Sequence, residues 1–221
     1  MCHFWERWST DSTPPSDHSL HQRRWADYYK AVEGRPPRDT LITALDHCEN
    51  EGQPSRGTVG FAVDLGCGAG RDTVELLRRR WRVLAIDGEP EAISQLLLRS
   101  DISRLWLDAR VQPFENMTLP PEVDLINASF CLPFCPPAYF PALWEEIVAA
   151  LRIGGRFCGQ LFGERDSWAV HPDVTTHTRT QLYNLLRLFE VEFLDEEEHE
   201  GKTALGQEKY WHLYHLVLRK R

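Results

Sequence analysis

The stretch Phe61-Ala62-Val63-Asp64-Leu65-Gly66-Cys67-Gly68-Ala69-Gly70-Arg71-Asp72 decides the fold. An apolar run of strand character enters a glycine-rich turn, and a helix opens directly behind it. Glycine permits the positive φ of such a turn and lets a ligand approach the backbone without a Cβ in the way, while the first helical turn presents unpaired N–H groups. The junction is a nucleotide-sized site. Its two carboxylates select among ligands. Asp64 at the strand end and Asp72 in the first helical turn repel a pyrophosphate and suit an ammonium or a sulfonium.

Residues 82–86 read as a second buried strand, ending in Asp87-Gly88-Glu89. A carboxylate there can accept both hydroxyls of a ribose. A dinucleotide site carries an acid at a similar spacing, so Asp87 alone does not separate the two ligands. The glycines separate them better: a dinucleotide turn wants G-x-G-x-x-G, and here Arg71 stands where the third glycine falls.

Taken together, Asp-Leu-Gly-Cys-Gly-Ala-Gly followed by a strand-end acid resembles the class I S-adenosylmethionine-dependent methyltransferases. The likeness runs in element order from about Trp25 onward and is most specific across residues 62–87. Within that superfamily the chain resembles the small tellurite-resistance and thiopurine-type enzymes, through its short length, the Asp-Leu-Gly-Cys-Gly-x-Gly-Arg-Asp string and an aromatic N-terminal helix. The resemblance implies an α/β fold: a Rossmann-like, doubly wound, seven-stranded, mostly parallel sheet with an antiparallel C-terminal strand and N-terminal helices. It implies S-adenosyl-L-methionine as cofactor. Asp64, Gly66, Cys67, Gly68, Gly70 and Arg71 would shape the cleft around the donor's amino-acid portion, with Asp87 and Gly88 at the ribose. Phe114 and Glu115 would flank the adenine, and Asn127, Ala128 and Phe130 would lie near the methyl. One loop departs from the family, with Gln112 where an Asp is usual, so adenine contact by Phe114 and Glu115 stands beside plain packing as a reading.

With 221 residues and 42% hydrophobic content the chain suits one globular domain. We assign residues 23–221 to it, residues 23–50 forming a helical lid and residues 1–22 a mobile tail. Formal net charge is −8, which weighs against a nucleic-acid partner, since phosphate neutralisation supplies most of that affinity. No apolar run approaches bilayer length, so no membrane partner is expected. Met1-Cys2-His3-Phe4-Trp5-Glu6-Arg7 lacks the basic start and apolar stretch of a signal peptide, which points to the cytoplasm and to reduced cysteines. Cys131 and Cys135 have no Cys or His pair nearby and read as loop or core thiols, so no metal site is expected. Arg78-Arg79-Arg80 reads as a solvated helix end and residues 195–200 as a solvated acidic loop.

Trp25, Tyr28, Tyr29 and Val32 share one helical face, and Asp39 can cap a second helix carrying Leu41, Ile42 and Leu45. Strands are expected at residues 103–111, 123–130 and 155–163. A helix over residues 138–151 tolerates Pro141 in its first turn and is stopped by Gly154-Gly155. Thr178-x-x-Gln181 is a capping-box start for a last helix. Residues 189–193 and 210–218 then follow as strands with no helix between them, so the chain ends in an antiparallel pair.

Ligands of open α/β sheets lie beyond the carboxyl ends of the strands. Asn127-Ala128-Ser129-Phe130 is not the Asn-Pro-Pro-Tyr pattern that resemblance links to amide or nucleobase nitrogens, and no Pro-Cys pair is present. With the acidic charge, that leaves a small-molecule acceptor offering S, N or O. His177 and Tyr29 are the candidate catalytic side chains, with His171 near the first. Trp25, Tyr28 and Tyr29 form either a lid over a cationic sulfonium or a stripe buried on the sheet. Arg35 and Arg38 could reach the donor's carboxylate or stand in solvent. Two rival functions are a protein that binds the donor without catalysis and an NAD-binding oxidoreductase.

Overall fold

The computed structural model describes residues 25–53 and 59–221. The tail expected at residues 1–22 lies outside the described residues. Two helices, α1 (Trp25–Val32) and α2 (Asp39–Asn50), come first. Strand and helix then alternate through β1 (Phe61–Leu65), α3 (Arg71–Arg78), β2 (Arg82–Asp87), α4 (Pro90–Leu98), β3 (Leu107–Val111), β4 (Val123–Ala128), α5 (Phe140–Ala150) and β5 (Leu151–Gly163). Next come β6 (Thr176–His177), α6 (Arg179–Leu185), β7 (Phe189–Lys202) and β8 (Glu208–Lys220).

The sheet order is β3-β2-β1-β4-β5-β8-β7, the seven-strand path expected, with the short β6 added beside β5 as an eighth strand. Strands β1 to β5 pair in parallel, and β8 runs antiparallel to both β5 and β7. Because helices cover both faces, the inner strands are apolar almost throughout instead of alternating with polar residues. Val63, Leu65, Leu84, Ile86 and Phe157 meet Leu143, Trp144 and Ile147 of α5 on one face. Ala62, Val83, Ala85 and Leu125 meet Leu41 and Leu45 of α2, Leu76 of α3 and Leu96 of α4 on the other. Full burial of each such large side chain contributes about 1.5–3 kcal/mol. The same alternation turns Asp64 and its register partner Asn127 toward the α3 face, where Asp64 meets Thr73.

Several local expectations need correction. Strand β3 starts at Leu107, because residues Arg104–Trp106 take a 3-10 turn. Asp39 does not cap α2: it occupies the first helical position, and Arg38 in extended conformation is the N-cap. Gly154-Gly155 does not stop α5, which ends at Ala150. Leu151 already pairs with Val123, and the glycines form a bulge before Arg156 pairs with Leu125. Gly154 supplies φ +77 there, which a side chain rarely adopts.

Two charged runs are also more than solvated surface. Arg79 donates to Asp46 at 2.8 Å, Glu49 at 3.0 Å and Glu75 at 2.9 Å, tying α2 to α3. The acids at 195–200 lie within β7 instead of a loop, with Glu196 opposite Tyr214 and Glu198 opposite His212. Arg165 reaches both Glu196 and Glu198, Arg179 reaches Glu196, and His215 meets Glu197. The capping box at Thr178 and Gln181 forms with both reciprocal hydrogen bonds. Cys131 and Cys135 are buried free thiols, as read.

Candidate active site

Strand order reverses about β1, with β2 on one side and β4 on the other, and a cleft of about 980 Å³ opens beyond their carboxyl ends. The β1–α3 loop forms its floor. Gly70 stands at φ 89 as the N-cap of α3. Gly68 at φ +54 lies so close to the Tyr29 ring that a Cβ would meet it at 3.2 Å. The positive φ favours glycine at Gly68, and a Cβ there would press on the Tyr29 ring.

Asp87, at the end of β2, reaches across to this loop. Its Oδ2 accepts the Gly68 N–H at 2.8 Å and its Oδ1 accepts the Glu89 N–H at 2.9 Å. A carboxylate offers about four lone-pair positions, so acceptor capacity remains for a ligand's hydroxyls. Burial pushes the Asp87 carboxyl above its ordinary range, against the two backbone donors that pull it down.

A second acid pair sits behind the loop. Asp64 accepts the Thr73 hydroxyl at 2.5 Å and the Asn127 amide at 2.8 Å, and the same amide nitrogen donates to Asp72 at 3.1 Å. The Arg38 N–H donates to the other Asp72 oxygen at 3.0 Å, docking the start of α2 on the first turn of α3. Burial, then the charge of Asp72, holds the Asp64 carboxyl well above its usual value. An acid so placed releases its proton to solvent when a cation comes to stand beside it, because the cation favours the ionised form.

Of the residues read from the sequence, Asp64, Gly66, Cys67, Gly68, Arg71, Asp87, Gly88, Phe114, Glu115, Phe130, Trp25, Tyr29 and Arg38 line this one cleft. Asn127 is fully buried with its amide committed to the two acids, and its carbonyl oxygen accepts the Ser129 hydroxyl at 2.9 Å. Asn127 positions the acids from behind. Ala128 is buried below the cleft and Gly70 lies at its edge as a helix cap.

The aromatic stripe of α1 faces the cleft. Trp25 stacks with Tyr29 at 6.4 Å and meets Phe134 edge-on at 5.3 Å, both rings lying on the cleft wall. Tyr29 is 6% exposed. Burial first, then Asp87 and Glu89, raises its phenol far above the ordinary value. It stays protonated at neutral pH and is a hydrogen-bond donor there, not a base.

His177 is not at the cleft. It sits in β6 beside Phe140 with ring centroids 4.7 Å apart, 6% exposed, and its Nδ1 has no hydrogen-bond partner among the described residues. Burial lowers its pKa to about 4. His171 does not line the cleft either. Sequence reading missed Phe134, Cys131, Arg99 and Asp173, which do. The apolar run Phe130 to Phe134, directly after the strand at the switch point, was the available signal for the first two. Arg99 reaches the loop through the Ala69 carbonyl at 3.4 Å, a contact across 30 positions with no local signature.

Residues 62–155 match the family model described as a methyltransferase domain. The chain is 31% identical over 139 residues to the trans-aconitate 2-methyltransferase of Enterobacter sp. (strain 638), covering 60% of this chain and 47% of that protein. It thus spans about half the length of the curated relative it matches. The fold is shared with TehB from Haemophilus influenzae, at a TM-score of 0.66 and 15% identity over 81% of this chain and 62% of that one. It is shared also with the 1,6-didemethyltoxoflavin-N1-methyltransferase of Burkholderia thailandensis, determined with bound S-adenosylhomocysteine, at 0.59 and 21% identity over 89% and 86% of the chains. The resemblance to S-adenosylmethionine-dependent methyltransferases therefore holds in fold and in the matched methyltransferase domain, and the likeness to TehB is one of fold.

Proposed function

We propose that the protein transfers a methyl group from S-adenosyl-L-methionine to a small-molecule acceptor. One observation carries this reading. Asp87 is fastened to the Gly68 backbone while the Asp64 and Asp72 carboxylates stand behind the same loop. The residues present fit the donor: the acids suit its ammonium and sulfonium, Asp87 suits its ribose hydroxyls, and Phe114 offers an apolar face for its adenine. The donor brings the reactive methyl. The protein aligns the acceptor for in-line attack and excludes water, effects worth about 7–11 kcal/mol at most. Helix α1 serves as the lid, with Tyr29 against the Gly68 backbone and Trp25 against Tyr29 and Phe134; α2, expected as part of that lid, is instead buried on the sheet. No histidine lines the cleft among the described residues, so a proton on the acceptor would fall to one of the cleft's carboxylates, and an acceptor that arrives already deprotonated needs no base.

Among the described residues no helix is long and apolar enough to cross a membrane, in keeping with a cytoplasmic enzyme. The same acids that suit the donor repel the pyrophosphate of NAD, so that rival gains nothing from the geometry. Isothermal titration with S-adenosylmethionine, S-adenosylhomocysteine and NAD in parallel tests the reading. Binding of the first two without the third is the expected result, and binding of NAD alone would overturn it. Trans-aconitate is the first acceptor to assay, because it stands in the relative's name.

A further inference from the structure

The cations around the cleft are not all neutralised. Arg78 pairs with Glu75 at 2.9 Å and Arg99 with Asp101 at 2.6 Å. Arg35, Arg38 and Arg71 line the same cleft, and among the described residues none of them forms an ion pair. Their other contacts hold them in place without cancelling charge. Arg71 Nε donates to the Pro36 carbonyl at 2.5 Å, while its Nη1 is buried with no hydrogen-bond partner. The Arg38 guanidinium lies 4.1 Å from the centre of the Phe130 ring, just beyond the end of β4. Burial, then Arg38, lowers the Arg71 pKa; Asp72 and then Tyr28 act against them, and Arg35 adds a smaller push downward, so the three guanidinium groups feel one another with Asp72 as a partial counter-charge. Like charges gathered beside an orphaned buried donor are at a disadvantage until an anion enters.

Two carboxylates could fill that need, one from the donor's amino-acid portion and one from the acceptor. The donor brings one negative charge to three guanidinium groups. Its ammonium already faces Asp64 and Asp72. One carboxylate offers two oxygens to three guanidinium groups, and Arg38, which has no ion-pair partner among the described residues, stands over Phe130 on the side of the cleft fed by β4.

We propose that Arg35, Arg38 and Arg71 form a docking subsite for a carboxylate of the methyl acceptor, which makes that acceptor a small carboxylic acid. This rests on the donor assignment above. Trp25, Tyr28 and Phe134 on the adjoining wall fit an acid with a planar or apolar body. The subsite recognises and orients. It does not specify which atom of the acceptor is methylated.

The experiment saturates the protein with S-adenosylhomocysteine, whose own affinity is measured first. Trans-aconitate and benzoate are then titrated in parallel with their neutral amides. The acids bind at least about ten-fold more tightly than the amides, as guanidinium–carboxylate pairing requires. Arg35 is solvent-exposed, so Arg35→Ala keeps the fold, checked by an unchanged melting temperature. That variant weakens acid binding by roughly five-fold or more while the S-adenosylhomocysteine affinity stays within about two-fold. Equal binding of acids and amides, or no binding of either, overturns the proposal. It is overturned equally if Arg35→Ala weakens S-adenosylhomocysteine as much as the acids, since the cluster then serves the donor's carboxylate. Failure of S-adenosylhomocysteine itself to bind is read in the first titration, and it removes the donor assignment and this subsite together.

Discussion

Asn127 divides one amide nitrogen between two acids, donating to Asp64 at 2.8 Å and to Asp72 at 3.1 Å. The bridge holds two buried carboxylates together at the floor of the cleft without a cation between them. Asn127→Asp would replace that donor by a third acid. We expect a loss of about 2–3 kcal/mol in unfolding free energy, the scale of a buried polar group left unmade. Urea denaturation measures it. A loss below about 0.5 kcal/mol would show that the bridge contributes nothing beyond a surface contact.

The elevated Asp64 carboxyl gives donor binding a pH dependence. Burial and Asp72 hold this acid protonated in the empty cleft above the ordinary carboxylate range. A cationic donor prefers the ionised form, so binding releases a proton and tightens as pH rises through that raised value. In the absence of donor the same shift lowers stability as pH rises, because the unfolded chain gives up its proton first. Titration calorimetry in two buffers of different ionisation enthalpy reads the released proton. Zero proton release between about pH 5.5 and 8 would remove Asp64 from the donor's environment.

On the proposed donor assignment, Asp87→Ala removes the acceptor for the ribose hydroxyls. Loss of two charge-assisted hydrogen bonds is worth about 3–4 kcal/mol, or a few-hundred-fold weaker S-adenosylmethionine binding. The Gly68 and Glu89 N–H groups also lose their partner, yet both residues border the open cleft, where water can replace it. The fold is therefore retained. Unchanged donor affinity in the variant would take Asp87 out of the site.

We expect His177 to act on stability and not on turnover. Its folded-state pKa of about 4 lies below the ordinary 6.5, so the unfolded chain binds the proton that the folded one refuses. The stability it contributes is present above pH 6.5 and is lost as pH falls toward about 4, on the order of 3 kcal/mol in full. His177→Phe should keep activity and flatten the fall in melting temperature over that window. A variant without activity, but folded, would restore His177 as a catalytic candidate.

Much of the architecture is legible because it rests on local rules. The Gly66 to Asp72 turn, the strand-end Asp87 and the capping box at Thr178 each announce themselves within a few residues. The helical spacing of Trp25 and Tyr29 shows a stripe, but only the contact of Tyr29 with Gly68 and of Trp25 with Phe134 shows what it faces. Charge was read too simply. The run at 195–200 resembles a solvated loop until Arg165, Arg179, His212 and His215 arrive from distant segments to pair with it. Gly154-Gly155 misleads for a related reason, since a helix stop and a strand bulge use the same backbone freedom. His177 looked reactive because loops carry function, and burial beside Phe140 is not written in its neighbours.

Strand β8 is the last in chain order yet lies in the interior of the sheet, between β5 and β7. During synthesis β5 emerges long before it, with Phe157, Leu161 and Phe162 on a strand whose outer edge has no partner. Nor can β7 cover that edge, because its ladder from Phe189 to Lys202 is made with β8. The nascent chain thus carries an open, apolar template for foreign strands until residues 208–220 leave the ribosome. Shortening the chain there would take out the middle of the sheet, not its margin, and strand both neighbours at once.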